Sequence, residues 1–534
     1  MNPTEGRLPQ SLDWSGHIRR LAARYGAYPA VRTPGGMVLN YAELSARAHA
    51  LAFALRDAGF DAGDPVASLL PNSLEAVWVS LGIKIAGCAE VALGWGYTAD
   101  EIAWCSELSG ARLLITPEER FALAETAGLR AMAPAQIVPT RGKTGDPIAQ
   151  AGIDAMAPIP GSAPGRIQFT SGTTGRPKGV MTSHARRWIG EQMQKACLPY
   201  MPRPGSRILL MTPYVHGAGL LSTAWFDCGG EIVLHDGVAP DEVLPLLERC
   251  ELDAMFAPPT VLAKLIASFG ERRLSGLRCI FTGTQPLAKG LYQRARDMFG
   301  PVIRITYGKT ECINPITTLA FEEIDEAFAE TPVVGASCAG WPAPGVELRV
   351  GHPLAASPEQ TAEGEIWLRA PQLSDGMIAA NGFTPHEPAG WHATGDLGMI
   401  DARGRLWLTG RVADVIKTGG YRVNPDEIEA HLAGMRRCAQ ISIVSLPSEY
   451  WGEVITAAVE APEADWREEM DERLKSLSRH KQPRLFVEFA ALPRNPQGKI
   501  SRRRLRDDIL SRFSLTDGAY PQLKPVGPAG ETKL

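Results

Sequence analysis

The stretch Phe169-Thr170-Ser171-Gly172-Thr173-Thr174-Gly175-Arg176-Pro177-Lys178-Gly179 sets three glycines, four hydroxyls and a lysine into eleven consecutive positions. It follows the short β-patterned run Arg166-Ile167-Gln168-Phe169, and its context reads as strand, loop, then helix. Glycines let a backbone approach an anion closely. Hydroxyls and a lysine on the same loop supply donors to phosphate oxygens. A shorter Ser/Thr/Gly run would read as an ordinary surface loop. The Walker A alternative fails: the Gly-Lys-Thr triplets at 142–144 and 308–310 each need a glycine five residues upstream, and Ile137 and Ile303 stand there.

Outward from this loop the chain alternates strand and helix patterns, which implies parallel sheets with crossover helices. Residues 38–60 carry helical spacing, starting near Asn40 or Tyr41 and ending at Gly59. Strand patterns lie at 65–73, 111–117, 166–169, 207–213, 231–235, 254–259 and 277–283. The apolar run from Leu74 to Gly94 is interrupted by Glu75, Lys84 and Glu90, so it reads as a buried helix and strand rather than a membrane span. Residues 128–165, rich in Ala, Pro and Gly, read as a loosely ordered connection. From about 345 the pattern becomes short alternating strands, ending in a hairpin around Asp401-Ala402-Arg403-Gly404. Beyond Arg411 an α+β unit opens, with Asn424 as N-cap before Pro425.

The 534 residues exceed one simple core, and 45% hydrophobic with 21% charged residues is ordinary globular composition. A net charge of −4 gives no general reason to expect a nucleic-acid surface. Nine singly scattered cysteines without a Cys-x-x-Cys pair argue against a disulfide framework or zinc site and fit a reducing cytoplasm. The start, MNPTEGRLPQ, lacks the basic and apolar regions of a secretory signal.

Four further motifs follow in order: Tyr307-Gly308-Lys309-Thr310-Glu311, Thr394-Gly395-Asp396, Gly410-Arg411-Val412-Ala413-Asp414-Val415-Ile416-Lys417, and Pro493-Arg494-Asn495-Pro496-Gln497-Gly498-Lys499-Ile500. Together with the hydroxyl-rich loop they make the chain closely resemble the adenylate-forming superfamily: acyl- and aryl-CoA synthetases, adenylation domains of peptide synthetases and beetle luciferases. Taken alone, Lys499 beside Arg502, Arg503 and Arg504 would read as a solvated surface charge, and Asp396 or Glu311 as a turn cap.

The resemblance implies a fold and a set of roles. The fold is α/β: a large N-terminal AMP-binding domain over 1–410, with parallel and mixed sheets flanked by helices and a small β-barrel-like subdomain. A small mobile α+β domain over 411–515 would carry the catalytic lysine, and 516–534 is expected to be a disordered tail. Thr170, Ser171, Gly172, Thr173, Thr174, Gly175 and Lys178 would hold the ATP phosphates. Tyr307 and Gly308 would lie against adenine, Thr310 would bind the α-phosphate, and Glu311 with Thr173 would hold Mg2+. Asp396 and Arg411 would bind the ribose, and Lys499 would be the catalytic cation. Gly283, Thr284 and Gln285 would form the wall between adenine and the reacting carboxylate.

Pro213-Tyr214-Val215-His216-Gly217-Ala218-Gly219 resembles the segment lining the acyl pocket, with His216 also assigned to catalysis. Amino-acid-activating members carry an Asp near His216, so the resemblance implies a carboxylate without an α-amino group. Gly217, Ala218, Gly219, Gly283 and Gly308 are small enough to leave room for an aryl or medium-sized acyl group. An esterase reading of the His-Gly-x-Gly run fails for want of any Gly-x-Ser-x-Gly. Lys417 with the Gly419-Gly420 turn would serve a second half-reaction, after rotation of the C-terminal domain. Where the family's hinge carries an Asp or Lys, this chain has Ala413.

The expected activity is thus an ATP- and Mg2+-dependent acyl-CoA synthetase with a small-molecule carboxylic acid and coenzyme A as partners. The expected enzyme is cytoplasmic, a monomer or homodimer, and takes no nucleic acid. The alternatives are delivery to a carrier protein in trans or to an amine, a non-catalytic nucleotide-binding homologue, and a luciferase-like oxygenase.

Overall fold

The computed structural model of the chain describes residues 8–33, 35–137, 156–170, 176–333, 335–353, 363–386, 390–495, 498–516 and 518–526, without the side chains of His216 and Arg422. Two compact units are present.

The first unit runs to Ile324 and takes in Ala339–Leu348 and Leu368–His392. Among the described residues one of its sheets has eight strands; Pro164–Thr170, Ala89–Ala92, Pro65–Ser68, Leu113–Ile115 and Arg130–Met132 run parallel. A second has a parallel core of Ile303–Lys309, Cys279–Gly283, Ala254–Phe256, Arg207–Leu210, Glu231–Leu234 and Pro29–Arg32. Helix Tyr41–Asp57 starts at Asn40, which shares a capping box with Glu43. It packs on helix Leu74–Ala86, which is buried on every face but at Glu75. That helix keeps its one buried charge, Lys84, because Glu191 meets its ammonium at 2.5 Å and the Trp14 ring lies 3.7 Å away. Glu90, the next charge in the apolar run, meets Arg187 at 3.2 Å and Arg166 at 3.9 Å.

The hydroxyl-rich loop departs from its expected context. It is followed by a strand, Lys178–Ser183, antiparallel to Pro164–Thr170, and only then by helix His184–Ala196. Val180, Thr182 and Ser183 bury their side chains, so this segment belongs to the sheet. The 128–165 connection is also more ordered than expected where it is described, with strand Arg130–Met132 and the short pair Ser11–Leu12 with Ile159–Pro160. Residues 138–155 lie outside the description.

The second unit comprises Asp325–Cys338, Arg349–Trp367 and the chain from Ala393 onward. Strands His392–Ile400 and Leu406–Arg411 form the expected hairpin. A five-stranded sheet follows, built on Gln440–Ser448 and Gly452–Glu460, with helices Pro425–Leu432, Trp466–Leu474 and Arg502–Arg512. Asn424 caps the first of these helices, accepting from the Asp426 amide at 3.0 Å. The tail, expected to be disordered from 516, instead pairs Phe513–Thr516 with Gln522–Pro525. Phe513, Leu515, Leu523 and Trp451 pack against the buried cluster that holds Leu446, Phe489 and Leu505, and the Trp451 indole donates to the Gly518 carbonyl at 3.0 Å. That apolar cover outweighs the polar, Pro/Gly-rich composition of the segment. Residues 527–534 lie outside the description.

Candidate active site

The residues assigned from the sequence fall into two groups, one in each unit. In the first unit, Thr170 and Lys178 face each other in register at the two ends of the hairpin loop. The loop stem is braced: the Trp104 indole donates to the Pro177 carbonyl at 2.9 Å, and Arg176 lies 4.5 Å from the Trp104 ring centroid. Ser171, Gly172, Thr173, Thr174 and Gly175 lie outside the described residues.

Tyr307, Gly308 and Lys309 end strand Ile303–Lys309, and Thr310 and Glu311 make the turn into Cys312–Leu319. Gly308 sits so close to Asn314 that a β-carbon would meet it at 2.7 Å, and one on Gly283 would meet the Thr306 carbonyl at 2.3 Å. Thr284 takes φ 69°, a conformation that costs a β-branched residue energy and recurs at functional turns. Thr284 is exposed and Gln285 half-buried beside it.

The Glu311 backbone carbonyl accepts from the Ser374 amide at 2.7 Å. Its charge acts on His386, one of a pair of histidines that the sequence reading missed. His386 hydrogen-bonds the Ser374 hydroxyl at 2.7 Å, and its ring centroid is 4.6 Å from that of His392. Burial lowers the proton affinity of His386 while the Glu311 charge raises it. Burial, His386 and Lys309 lower His392 to about 3. No local pattern announces these histidines; separation of about 75 to 80 residues from Glu311 hides them.

The 213–219 segment forms a π-helical turn over Tyr214–Ala218. Asn72 holds its start, accepting from the Tyr214 amide at 2.7 Å and donating to the Thr212 and His235 carbonyls. Arg166 donates to the Val215 carbonyl at 2.5 Å. Gly217 is exposed and Ala218 buried, and a β-carbon on Gly219 would meet the Tyr214 carbonyl at 2.2 Å.

The second unit brings three of its assigned residues together. Asp396 and Arg411 are register partners across the hairpin, with Nε 3.3 Å from the carboxylate. Asp396 is 7% exposed, and its amide donates to the Thr394 hydroxyl, which itself donates to the Ile366 carbonyl. Lys499 follows a turn in which Asn495 accepts from the Lys499 amide at 2.9 Å. Burial and then Arg411 lower its proton affinity, against the opposing charge of Asp396, to about 8. A half-buried lysine, an arginine and a buried carboxylate thus share one electrostatic neighbourhood. Lys417 is exposed, its amide bonded to Glu453 at 2.6 Å, and Gly419 and Gly420 take φ 55° and 85° in the turn beyond it.

Residues 18–377 match the AMP-binding enzyme family model. The chain belongs to the AMP-binding enzyme family. A methyl-dioxo-octahydroindenyl-propanoyl:CoA ligase of Mycobacterium tuberculosis is 30% identical, over 87% of this AMP-binding enzyme and 93% of the relative. A fatty acid–acyl-carrier-protein ligase of Streptomyces coeruleorubidus is 28% identical, over 88% and 92%. The o-succinylbenzoate CoA synthetase of Bacillus subtilis, solved with its acyl-adenylate, shares the fold at TM-score 0.79 and 24% identity, over 93% of this chain and 98% of that one.

Among the described residues no helix is long and apolar enough to cross a membrane, and no three His, Cys, Asp or Glu side chains cluster as a metal site. A lone carboxylate such as Glu311 nevertheless suits Mg2+, which binds through one or two carboxylates and completes its shell with water and phosphate oxygens.

Proposed function

We propose that this enzyme activates a carboxylic acid as its acyl-adenylate and transfers the acyl group to coenzyme A. The carboxylate oxygen attacks the α-phosphorus of ATP, and the bond to pyrophosphate breaks. The thiolate of coenzyme A then attacks the acyl carbon, and AMP leaves. Both attacks bring anions together, so the protein must supply positive charge that is already in place. Lys499 and Lys178 are the cations assigned to the phosphoryl step, with Asp396 and Arg411 on the ribose and Tyr307 and Thr310 on adenine and the α-phosphate. Mg2+, held by Glu311, would neutralise the departing pyrophosphate. His216 and Gly217 would line the acyl side, and Lys417 with Gly419 and Gly420 the thiol side.

The observation that carries the reading is the grouping of Lys499 with Asp396 and Arg411. The test is exchange of radiolabelled pyrophosphate into ATP over a panel of aryl and medium-chain acids. Lys499→Ala is expected to lose roughly 10²–10³-fold in exchange, yet still to convert supplied acyl-adenylate to thioester. Equal exchange by wild type and variant would overturn the assignment. The carrier-protein alternative is kept by one observation, the similarity to the Streptomyces carrier-protein ligase. Adenylate that builds up with coenzyme A and is consumed by a phosphopantetheinylated carrier would favour it.

A further inference from the structure

A cavity of about 20 Å³ opens in the first unit beside Gly217, one of the residues assigned to the acyl side. The parallel register puts Phe256, Phe281 and Arg304 in one row on one face of the sheet. Thr306, two residues beyond Arg304, stands on the same face with its register partner Thr318. All five line the cavity, whose rim also carries Asn314. The lining therefore changes along the sheet from two aromatic rings to a guanidinium, two hydroxyls and an amide.

Arg304 is the unusual member. Its Nη2 donates to the Thr318 hydroxyl at 3.1 Å, but its Nε is buried and has no hydrogen-bond partner. Among the described residues no carboxylate lies within ion-pair distance of it, whereas Arg166 and Arg187, the cations on the Glu90 side of this unit, both have one. A buried N–H without an acceptor and a cation without a counter-charge are each costly. Asn314 shows the same want: its Nδ2 donates to Thr306 at 3.3 Å and its buried Oδ1 has no partner. The Thr306 hydroxyl that accepts from Asn314 itself donates to the Thr282 carbonyl at 3.3 Å, so it has no proton to give the Asn314 oxygen.

Resting on the ligase reading above, we propose that Arg304 and Asn314 form a specificity subsite for a second carboxylate, at the end of the acid substrate remote from the carboxyl that is activated. The apolar body of the acid would lie along Phe256 and Phe281, and its far carboxylate would supply the acceptor that Arg304 Nε lacks. Arg304 is then a specificity-determining residue and takes no part in the bond changes.

The test uses acids of equal length and matched framework that differ only at the far end: methyl, hydroxyl or carboxylate. Wild type, Arg304→Met and Arg304→Lys are compared by kcat/KM in acid-dependent pyrophosphate release, with ATP saturating. Wild type is expected to prefer the far carboxylate to the far methyl by roughly ten- to hundredfold, the range of a charge-assisted hydrogen bond. Arg304→Met should abolish or invert the preference while keeping turnover of the methyl acid; Arg304→Lys should keep part of it. Asn314→Ala gives a second, milder test should Arg304→Met fold poorly. Equal preference in wild type and Arg304→Met overturns the subsite and leaves the ligase reading standing, as does a wild-type preference for hydroxyl over carboxylate. Absence of pyrophosphate release with every acid overturns both.

Discussion

Raising the pH through the titration of Lys499 removes the one cation whose charge is set by the site itself. Its ordinary value of 10.5 is lowered to about 8, first by burial and then by Arg411, with Asp396 opposing. The ammonium form is therefore present below about 8 and lost above it. One unit higher, at pH 9, about a tenth of the molecules keep the charge. The value of kcat/KM for ATP in pyrophosphate exchange, which reports the free enzyme, should fall roughly tenfold between pH 7 and pH 9. Bound phosphate favours the ammonium, so kcat itself should fall at higher pH than kcat/KM.

Lys499→Arg keeps a cation that does not titrate in this range and should give a lower but flat profile. The same shift has a sign in stability. Between 8 and 10.5 the unfolded chain binds more protons at this residue than the folded chain, so stability from this group rises with pH. The whole cost of burying the charge at neutral pH is at most about 3 kcal/mol, and less where water reaches the amine. Lys499→Met should remove that slope in urea melts. A wild-type kcat/KM flat to pH 9.5, or an equally steep fall in Lys499→Arg, would refute the reasoning.

Two further outcomes follow from the geometry. Arg502 meets Asp414 at 2.7 Å, Glu429 at 2.7 Å and Asp426 more closely still, so Arg502→Ala leaves three carboxylates without their shared cation. A loss of about 3–5 kcal/mol is expected in the unfolding free energy of the chain, read by denaturant melts, with Arg502→Lys recovering only part. Thr284→Gly relieves the positive φ and should raise stability by about 0.5–1 kcal/mol, while pyrophosphate exchange falls because the wall at 283–285 loses its fixed shape. Differential scanning fluorimetry and exchange on the same sample separate the two effects.

What could be read from the chain depended on how far apart the interacting residues lie. The capping box of Asn40 and Glu43 spans three residues, and helix Tyr41–Asp57 starts where the pattern puts it. Strands Arg207–Leu210, Glu231–Leu234 and Cys279–Gly283 each centre on a run of adjacent apolar residues, and they too fall inside their expected ranges. Strand Lys178–Ser183 escaped because Lys178 and Gly179 were spent on the loop, leaving too few residues for a period to show. The tail hairpin escaped because its stability comes from Trp451, far upstream.

The site divides in the same way. Asp396, Arg411 and Lys499 were found through motifs, and their mutual proximity, across about a hundred residues, came only from the fold. Lys84 and Glu90 looked like interruptions of an apolar run, because Glu191 and Arg187 lie about a hundred residues further on. His386, His392, Asn72 and Arg304 belong to no motif; each becomes visible only when a neighbour from another element is placed against it.

The Arg502 cluster also limits where the chain can bend. Asp414 belongs to the short turn Val412–Asp414, yet its side chain is tied to the first turn of the helix that follows the Pro-Gln-Gly loop, and through it to helix Pro425–Leu432. Any swivel that leaves this triple contact whole must be taken up by the dihedrals ahead of Asp414, at Arg411, Val412 and Ala413, whose side chains are exposed. A methyl side chain at Ala413 has no charge to trade between alternative partners as it turns. The pivot of this enzyme would then be smooth, with no electrostatic detent at either stop, and the substrates themselves would have to decide where it rests.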